Sequence, residues 1–267
     1  MESGDARRRF DDAAEAMAER RDAAVDAIVE RRDAARDSAR ETMADAKEAA
    51  AEAIAKVKPR LRGVLHEYAF FVSLVLGALL IVLANGAEAT AAVAVYAASL
   101  SALLGVSALY HRHNWQRPSA RLWMRRLDHT MIFFLIAGTL TPFAVLVMEP
   151  PLATAVLIAV WAGALAGTVV ELIWIDSPKW LSAAVYIGVG LIGAVGFPAI
   201  VAEGGAGAGA LIAGGGVLYM VGAVIYALQR PNPSPTVFGY HEIFHALVIA
   251  AAAAHFAAVA LYALPAA

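Results

Sequence analysis

The chain has 267 residues, 60% of them hydrophobic, with a formal net charge of −2 and a mean hydropathy of +0.63. An ordinary soluble domain is nearer half apolar, so the excess points to an integral membrane protein. Cysteine is absent, which excludes disulfides and thiolate metal sites and leaves His, Asp or Glu for any metal.

Charge is concentrated at the N-terminus. Residues 1–65 hold 14 of the 21 Lys and Arg and 15 of the 23 Asp and Glu. The first 30 residues have no apolar core of signal-peptide type, so no cleaved signal is expected. Residues 5–55 read as one polar helix, rich in Ala, Arg, Asp and Glu and free of Pro and Gly. "ERRDAAVDAIV" (19–29), "ERRDAARDSAR" (30–40) and "ETMADAKEAAA" (41–51) repeat, spacing Glu19, Glu30, Glu41 and Glu52 by eleven. An eleven-residue period drifts little around an α-helix and allows a right-handed coiled coil. The apolar stripe is mostly Ala, so self-association should be weak. A solvated helix with i,i+4 ion pairs is the simpler reading, with oligomerisation or membrane-surface contact as the alternatives. Residues 1–60 are thus expected to form a charged, Ala-rich cytoplasmic helix and 61–267 a separate membrane domain.

Seven apolar stretches follow, at 68–86, 89–111, 130–148, 152–174, 181–201, 207–228 and 241–262. Each is long enough to cross about 30 Å of hydrocarbon. Short breaks separate them, except for one longer link, "RHNWQRPSARLWMRRLD", between the second and third. The predicted fold is all-α: a seven-transmembrane helix bundle carrying the N-terminal polar cytoplasmic helix. Basic residues set its orientation. Lys56, Lys58, Arg60 and Arg62 precede the first span. Arg112, Arg117, Arg121, Arg125 and Arg126 lie in the second link, and Lys179 and Arg230 in the fourth and sixth. The other links and the C-terminal tail have no Lys or Arg. The expected location is the cell membrane, multi-pass, with the N-terminus cytoplasmic and the C-terminus outside.

Ionisable residues inside spans are costly and mark function by default. On this topology His111 ends the second span, Asp128 starts the third, and His241 and His245 open the seventh. All four fall at one depth near the cytoplasmic face, although up to 134 residues separate them. Ser107 is one turn deeper than His111 on the same face. Three neutral imidazoles with one open position describe a catalytic zinc site, and a carboxylate beside the open position completes it. Zinc lowers the pKa of a bound water towards about 7. Simpler readings stand beside this one. His241 and His245 could face headgroups, and His111 could be an interfacial anchor. Asp128 could be an N-cap of the third span, and Ser107 could bond a helix carbonyl. His113 and His66 read as interfacial. His129 adjoins Asp128, so only one of the two can point squarely inward. His255 lies about 15 Å along the helix from His245, too far to share a metal, and could bond across helices in the outer half.

"HEIFH" (241–245) also matches the H-E-x-x-H pattern of zinc proteases. Such a protease needs a further ligand downstream, and no acidic residue follows Glu242. The third ligand must come from upstream, where His111 is the best candidate. Glu242, about 100° around the helix from His241, is expected to face a neighbouring helix rather than the metal.

"SALYHR" (107–112), "RLDHTMIFFLIAGTLTPF" (126–143) and "GYHEIFHALVIAAAAAHF" (239–256) resemble the three signature blocks of the bacterial hemolysin III family, within the progestin and adiponectin receptor superfamily. The resemblance covers about residues 60–267 and leaves the N-terminal helix outside. Leu140 departs from a tyrosine common at that position in relatives. The resemblance implies a seven-helix bundle with a cytoplasmic N-terminus and an intramembrane Zn2+ near the cytoplasmic side. It matches the three zinc-binding histidines to His111, His241 and His245, the second-helix serine to Ser107, and the aspartate that contacts the zinc-bound water to Asp128.

Two functions follow from that resemblance. One is a zinc-dependent hydrolase of a membrane lipid, a ceramide-like amide, acting in membrane lipid homeostasis with Asp128 and Ser107 as catalytic residues. Its lipid tail would lie between helices, where Gly188, Gly190, Gly193, Gly196 and Gly214–Gly216 permit either a lateral opening or plain helix packing. The other is a non-enzymatic sensor or pore-forming, hemolysin-type protein with a structural zinc. The lipid bilayer is the expected partner in both, and no nucleic acid is expected.

Overall fold

The computed structural model describes residues 17, 31–33, 35–40, 42–43 and 59–266. The chain divides into two units, Met1–Val57 and Lys58–Ala267. In the first, the described residues are helical and exposed. Asp33 pairs with Arg36 at 3.8 Å and Asp37 with Arg40 at 3.5 Å, each one turn apart. Such exposed pairs add little stability. Most of the expected 5–55 helix and of its eleven-residue repeat lies outside the described residues.

The described residues of the second unit form helices joined by short loops. Its elements are α1 (Val64–Leu83), α2 (Gly86–Arg112), α3 (Pro118–Leu146), α4 (Leu152–Ile173), α5 (Lys179–Ile192), α6 (Phe197–Leu228) and α7 (Tyr240–Ala258). A π-helical turn, Val259–Ala263, and a 3-10 turn, Leu264–Ala266, extend α7. Among the described residues six helices are long and apolar enough to cross a membrane, and Lys179–Val195 is a shorter apolar one. Consecutive helices pack on one another, and α1 also packs on α7, which closes the bundle into a ring.

Outward faces are apolar as well as inward ones. Val75 and Val82 of α1, Ile158 and Ile173 of α4, and Leu228 of α6 are all exposed. A helix that is apolar all round belongs in lipid, and this chain is a multi-pass membrane protein. The main core joins Tyr96, Leu100 and Leu103 of α2, Phe143 and Ala144 of α3, and Val248 and Ala252 of α7. A smaller core joins Phe133, Ala137 and Leu140 of α3 with Val160 and Ala164 of α4 and Val189 of α5. α3 belongs to both, so it runs through the interior.

Two expected boundaries move. The long second link is largely helical, because Pro118 occupies the first position of α3, where its missing N–H costs nothing. The fifth stretch is not one uniform helix. Regular α-helix stops at Ile192 and a 3-10 step spans Gly193–Val195, with Gly196 still in the right-handed region. The expected break at "AEGG" narrows to one residue, Gly205, whose φ of 82° and ψ of 170° interrupt α6. Glycine alone adopts that conformation without strain.

Candidate metal centre

Three helices supply the polar residues predicted from sequence. Near the end of α2, Ser107 and His111 sit one turn apart and are both buried. α2 stops at Arg112, and the exposed His113 turns its ring edge-on to Trp115 at 4.6 Å. Arg117 is the N-cap of α3, so Asp128 lies inside that helix. The reading of Asp128 as an N-cap is therefore incorrect: the helix begins at Pro118, twelve residues before the hydrophobic run at 130. Gly239 is the N-cap of α7, where the Tyr240 N–H donates to Asn232 Oδ1 at 3.3 Å and the Gly239 N–H donates to Glu242 Oε2 at 2.8 Å. His241 and His245 then occupy the first two turns.

These groups meet. One nitrogen from each of His111, His241 and His245 lies within 4.8 Å of the others. His111 Nε2 is 3.1 Å from His241 Nε2 and 3.5 Å from Asp128 Oδ2. Ser107 is a neighbour of the Asp128 carboxylate. The donor set fits zinc. Nitrogens bound about 2.0–2.1 Å from one tetrahedral ion stand about 3.3 Å apart, close to the spacing of the first pair. Three imidazole nitrogens, with a carboxylate oxygen 3.5 Å from one of them, are a donor set that could hold a metal ion.

Two of the three histidines open onto a cavity of about 440 Å³. Ser107, Asp128, His241 and His245 line it. Leu103, Leu135 and Val248 are among the apolar side chains along the rest of its wall, and His255 lines it too. Ligand sites typically span about 300–1,000 Å³ and are mostly apolar with a few convergent polar groups.

Several other positions are now defined. His66 is not interfacial: it is 2% exposed and stacks on His245, with ring centroids 3.8 Å apart. The first apolar run begins after it, but α1 starts at Val64 and carries His66 inward. Glu242 turns away from the histidines. It is 1% exposed and ion-paired with Arg62, from the segment preceding α1. That segment is also held by the Arg60 and Leu61 N–H groups, which donate to the Thr236 and Val237 carbonyls at 3.0 and 3.2 Å. His255 does bond across helices, its Nε2 lying 3.1 Å from the Ile212 carbonyl. Among the glycines, Gly193 packs against Leu140 and Gly215 against the His255 ring. Gly190 and Gly216 line the cavity and have open space where a Cβ would be.

Three residues near the site escape the topology argument. Glu171, buried in α4, accepts from Tyr186 Oη at 2.9 Å and faces His129 Nδ1 at 3.3 Å. It carried a sequence signal, a carboxylate inside an apolar run. Lys179 donates to Tyr240 Oη at 2.9 Å and lies 5.2 Å from the Tyr226 ring centre; Tyr226 in turn packs edge-on to His241. Nothing in the sequence marks Gly63, which has φ +81° and whose absent Cβ would stand 2.6 Å from His111 Cβ.

Comparison with known proteins agrees with the three sequence blocks. A family model described as haemolysin-III related matches residues 54–256. Hemolysin-3 of Bacillus cereus is 31% identical over 180 residues, which is 67% of this chain and 78% of that protein. The Hemolysin-3 homolog of Bacillus subtilis (strain 168) is 31% identical over 136 residues, 51% of this chain and 61% of that protein. The monocyte to macrophage differentiation factor of Homo sapiens is 27% identical over 173 residues, 63% of this chain and 68% of that protein. With residues 54–256 matched, most of the membrane unit, the chain belongs to the haemolysin-III related family.

Proposed function

We propose that this chain is a seven-span membrane hydrolase that uses zinc, held by His111, His241 and His245, to cleave the amide of a ceramide-like membrane lipid. The observation that carries this reading is the junction of three convergent imidazoles with a mostly apolar cavity of about 440 Å³. Residues from Lys179 through the 3-10 step to Gly205 form the fifth span and residues after Gly205 the sixth. The alternation of basic links supports a cytoplasmic N-terminus and an external C-terminus.

When bound, zinc supplies a Lewis acid for a carbonyl oxygen and lowers the pKa of water. The remaining chemistry belongs to the protein. Asp128, beside His111, accepts a hydrogen bond from the attacking water and so orients it. Ser107 donates its hydroxyl hydrogen bond to the oxygen on which negative charge develops. Apolar side chains hold the lipid tail and exclude bulk water, which strengthens both interactions.

A second reading is a structural zinc in a sensor or pore-forming protein. The 3.5 Å separation of His111 Nε2 and Asp128 Oδ2 favours it, because a carboxylate that near can serve as a fourth ligand. Metal content by mass spectrometry on detergent-purified protein, wild type beside His241→Ala/His245→Ala, is the first test. One zinc per chain, lost in the variant, supports both readings and justifies assaying lipid-amide hydrolysis. No zinc after loading would overturn both.

A further inference from the structure

A hydrolase buried in lipid must receive water, and the large cavity is walled mostly by apolar side chains. A second polar chain lies outside the metal centre, on α3, α4 and α5. Glu171 is 3% exposed in the last turn of α4. A carboxylate buried in a membrane-crossing helix is costly unless fully bonded. It receives Tyr186 Oη at 2.9 Å on one oxygen and faces His129 Nδ1 at 3.3 Å with the other. Ser182, one of its neighbours, lies with its Oγ 2.9 Å from Ser177 Oγ.

The two ends of this chain reach different places. Ser177 belongs to the α4–α5 loop, where Arg125 of α3 donates to the Ile175 carbonyl and to Asp176, both at 2.9 Å. His129 and Tyr186 line the large cavity together with Asp128. Between the ends lies a recess of about 10 Å³, lined by Glu171, Ser177 and Ser182 together with apolar residues that include Phe133 and Gly167. About one water fits such a volume, and a buried water needs two to four polar partners. The carboxylate and the two hydroxyls supply them.

We infer that Ser177, Ser182, Glu171, His129 and Tyr186 form a water path from the α4–α5 loop to the cavity beside Asp128. Its use in catalysis rests on the proposed hydrolase; its existence does not. Each amide turnover takes up one water. Its oxygen forms the new C–O bond, the C–N bond breaks, and the leaving nitrogen acquires a proton. While a lipid tail fills the apolar cavity, this chain remains as a polar route to the reacting centre.

X-ray radiolysis of the full chain in detergent, with mass spectrometry, tests the path, because hydroxyl radicals made from a bound water oxidise the side chains around it. Phe133 and Phe143 are each 0% exposed. Phe133 borders the recess, whereas Phe143 lies in the apolar core. Phe133 should be oxidised at least several-fold faster than Phe143. Glu171→Leu, which dries the recess, should abolish the difference, and the milder Ser182→Ala should reduce it. Glu171→Leu should also lower kcat with little change in KM or zinc content. Equal labelling of the two phenylalanines in wild type, or labelling of Phe133 that both variants leave unchanged, overturns the path. Preferential labelling in a protein that hydrolyses no lipid amide keeps the path and overturns the hydrolase.

Discussion

The imidazole of His66 lies flat against that of His245, with centroids 3.8 Å apart and planes 5° from parallel. The contact joins the first turn of α1 to the second turn of α7, and both nitrogens of His66 are buried without a hydrogen-bond partner. Its visible role is to fix the plane of a ring that is proposed to bind metal. Groups that orient a metal ligand commonly change affinity by about 10–100-fold when removed. His66→Ala should weaken zinc binding by that order in a chelator competition. His66→Phe, which keeps a flat ring, should restore most of it. Equal affinity in wild type and His66→Ala would show that the stack does not hold His245.

Glu242 occupies the position that a zinc protease gives its general base, and here it is structural. It accepts the Gly239 N–H and pairs with Arg62, whose side chain is only 20% exposed. Breaking a buried pair from one side costs about 3–5 kcal/mol, and the residual exposure of Arg62 places this one towards the lower end. Glu242→Ala should lower Tm in detergent by much more than Glu242→Gln, which keeps the N–H acceptor. Arg62→Met/Glu242→Met should recover a large share of the loss. Glu242→Gln that retained its Tm and its zinc but lost all hydrolysis would restore the base role.

Gly63 fixes the approach of α1 to the end of α2. A side chain at φ +81° costs about 1–2 kcal/mol. The added Cβ would also press on His111 Cβ at 2.6 Å, with no flexible chain end to yield. Gly63→Ala should therefore lower both stability and zinc affinity, whereas Gly86→Ala, also at positive φ but with open space, should affect only stability. Zinc titration of the two variants below their melting temperatures distinguishes them.

What could be read from sequence was whatever depends on period, length and charge sign. The apolar runs needed only the thickness of a bilayer, and the meeting of His111, Asp128, His241 and His245 needed only the direction in which each helix runs. What could not be read depends on local backbone. Hydropathy placed the start of the third span near residue 130 because "RPSARLWMRRLD" is charged, but Pro118 starts the helix regardless of polarity. His66 lies before the first apolar run, and its inward aim follows from where Gly63 lets α1 begin. Glu171 was visible as a carboxylate in an apolar run; its partners His129 and Tyr186, 42 and 15 residues away, were not.

Asp128 separates the two readings of the metal. Its carboxylate is 14% exposed at 3.5 Å from His111 Nε2, within reach of either a zinc ion or a water beside one. If it only orients water, Asp128→Asn leaves the three imidazoles in place. Zinc content should then remain near one per chain, while lipid-amide hydrolysis falls by about 10²–10⁴-fold, the usual contribution of a positioned acid–base group. If it is a fourth ligand of a closed shell, the same change removes a charged donor, and zinc should be lost at chelator concentrations that wild type survives. Ser107→Ala provides the control on the hydrolase side. Loss of one oxyanion donor costs about 10²–10³-fold in kcat where that donor is used, and it should leave zinc affinity unchanged. Zinc retained in both variants with hydrolysis undiminished would remove Asp128 and Ser107 from the chemistry and leave the cluster as a staple of α2 and α7.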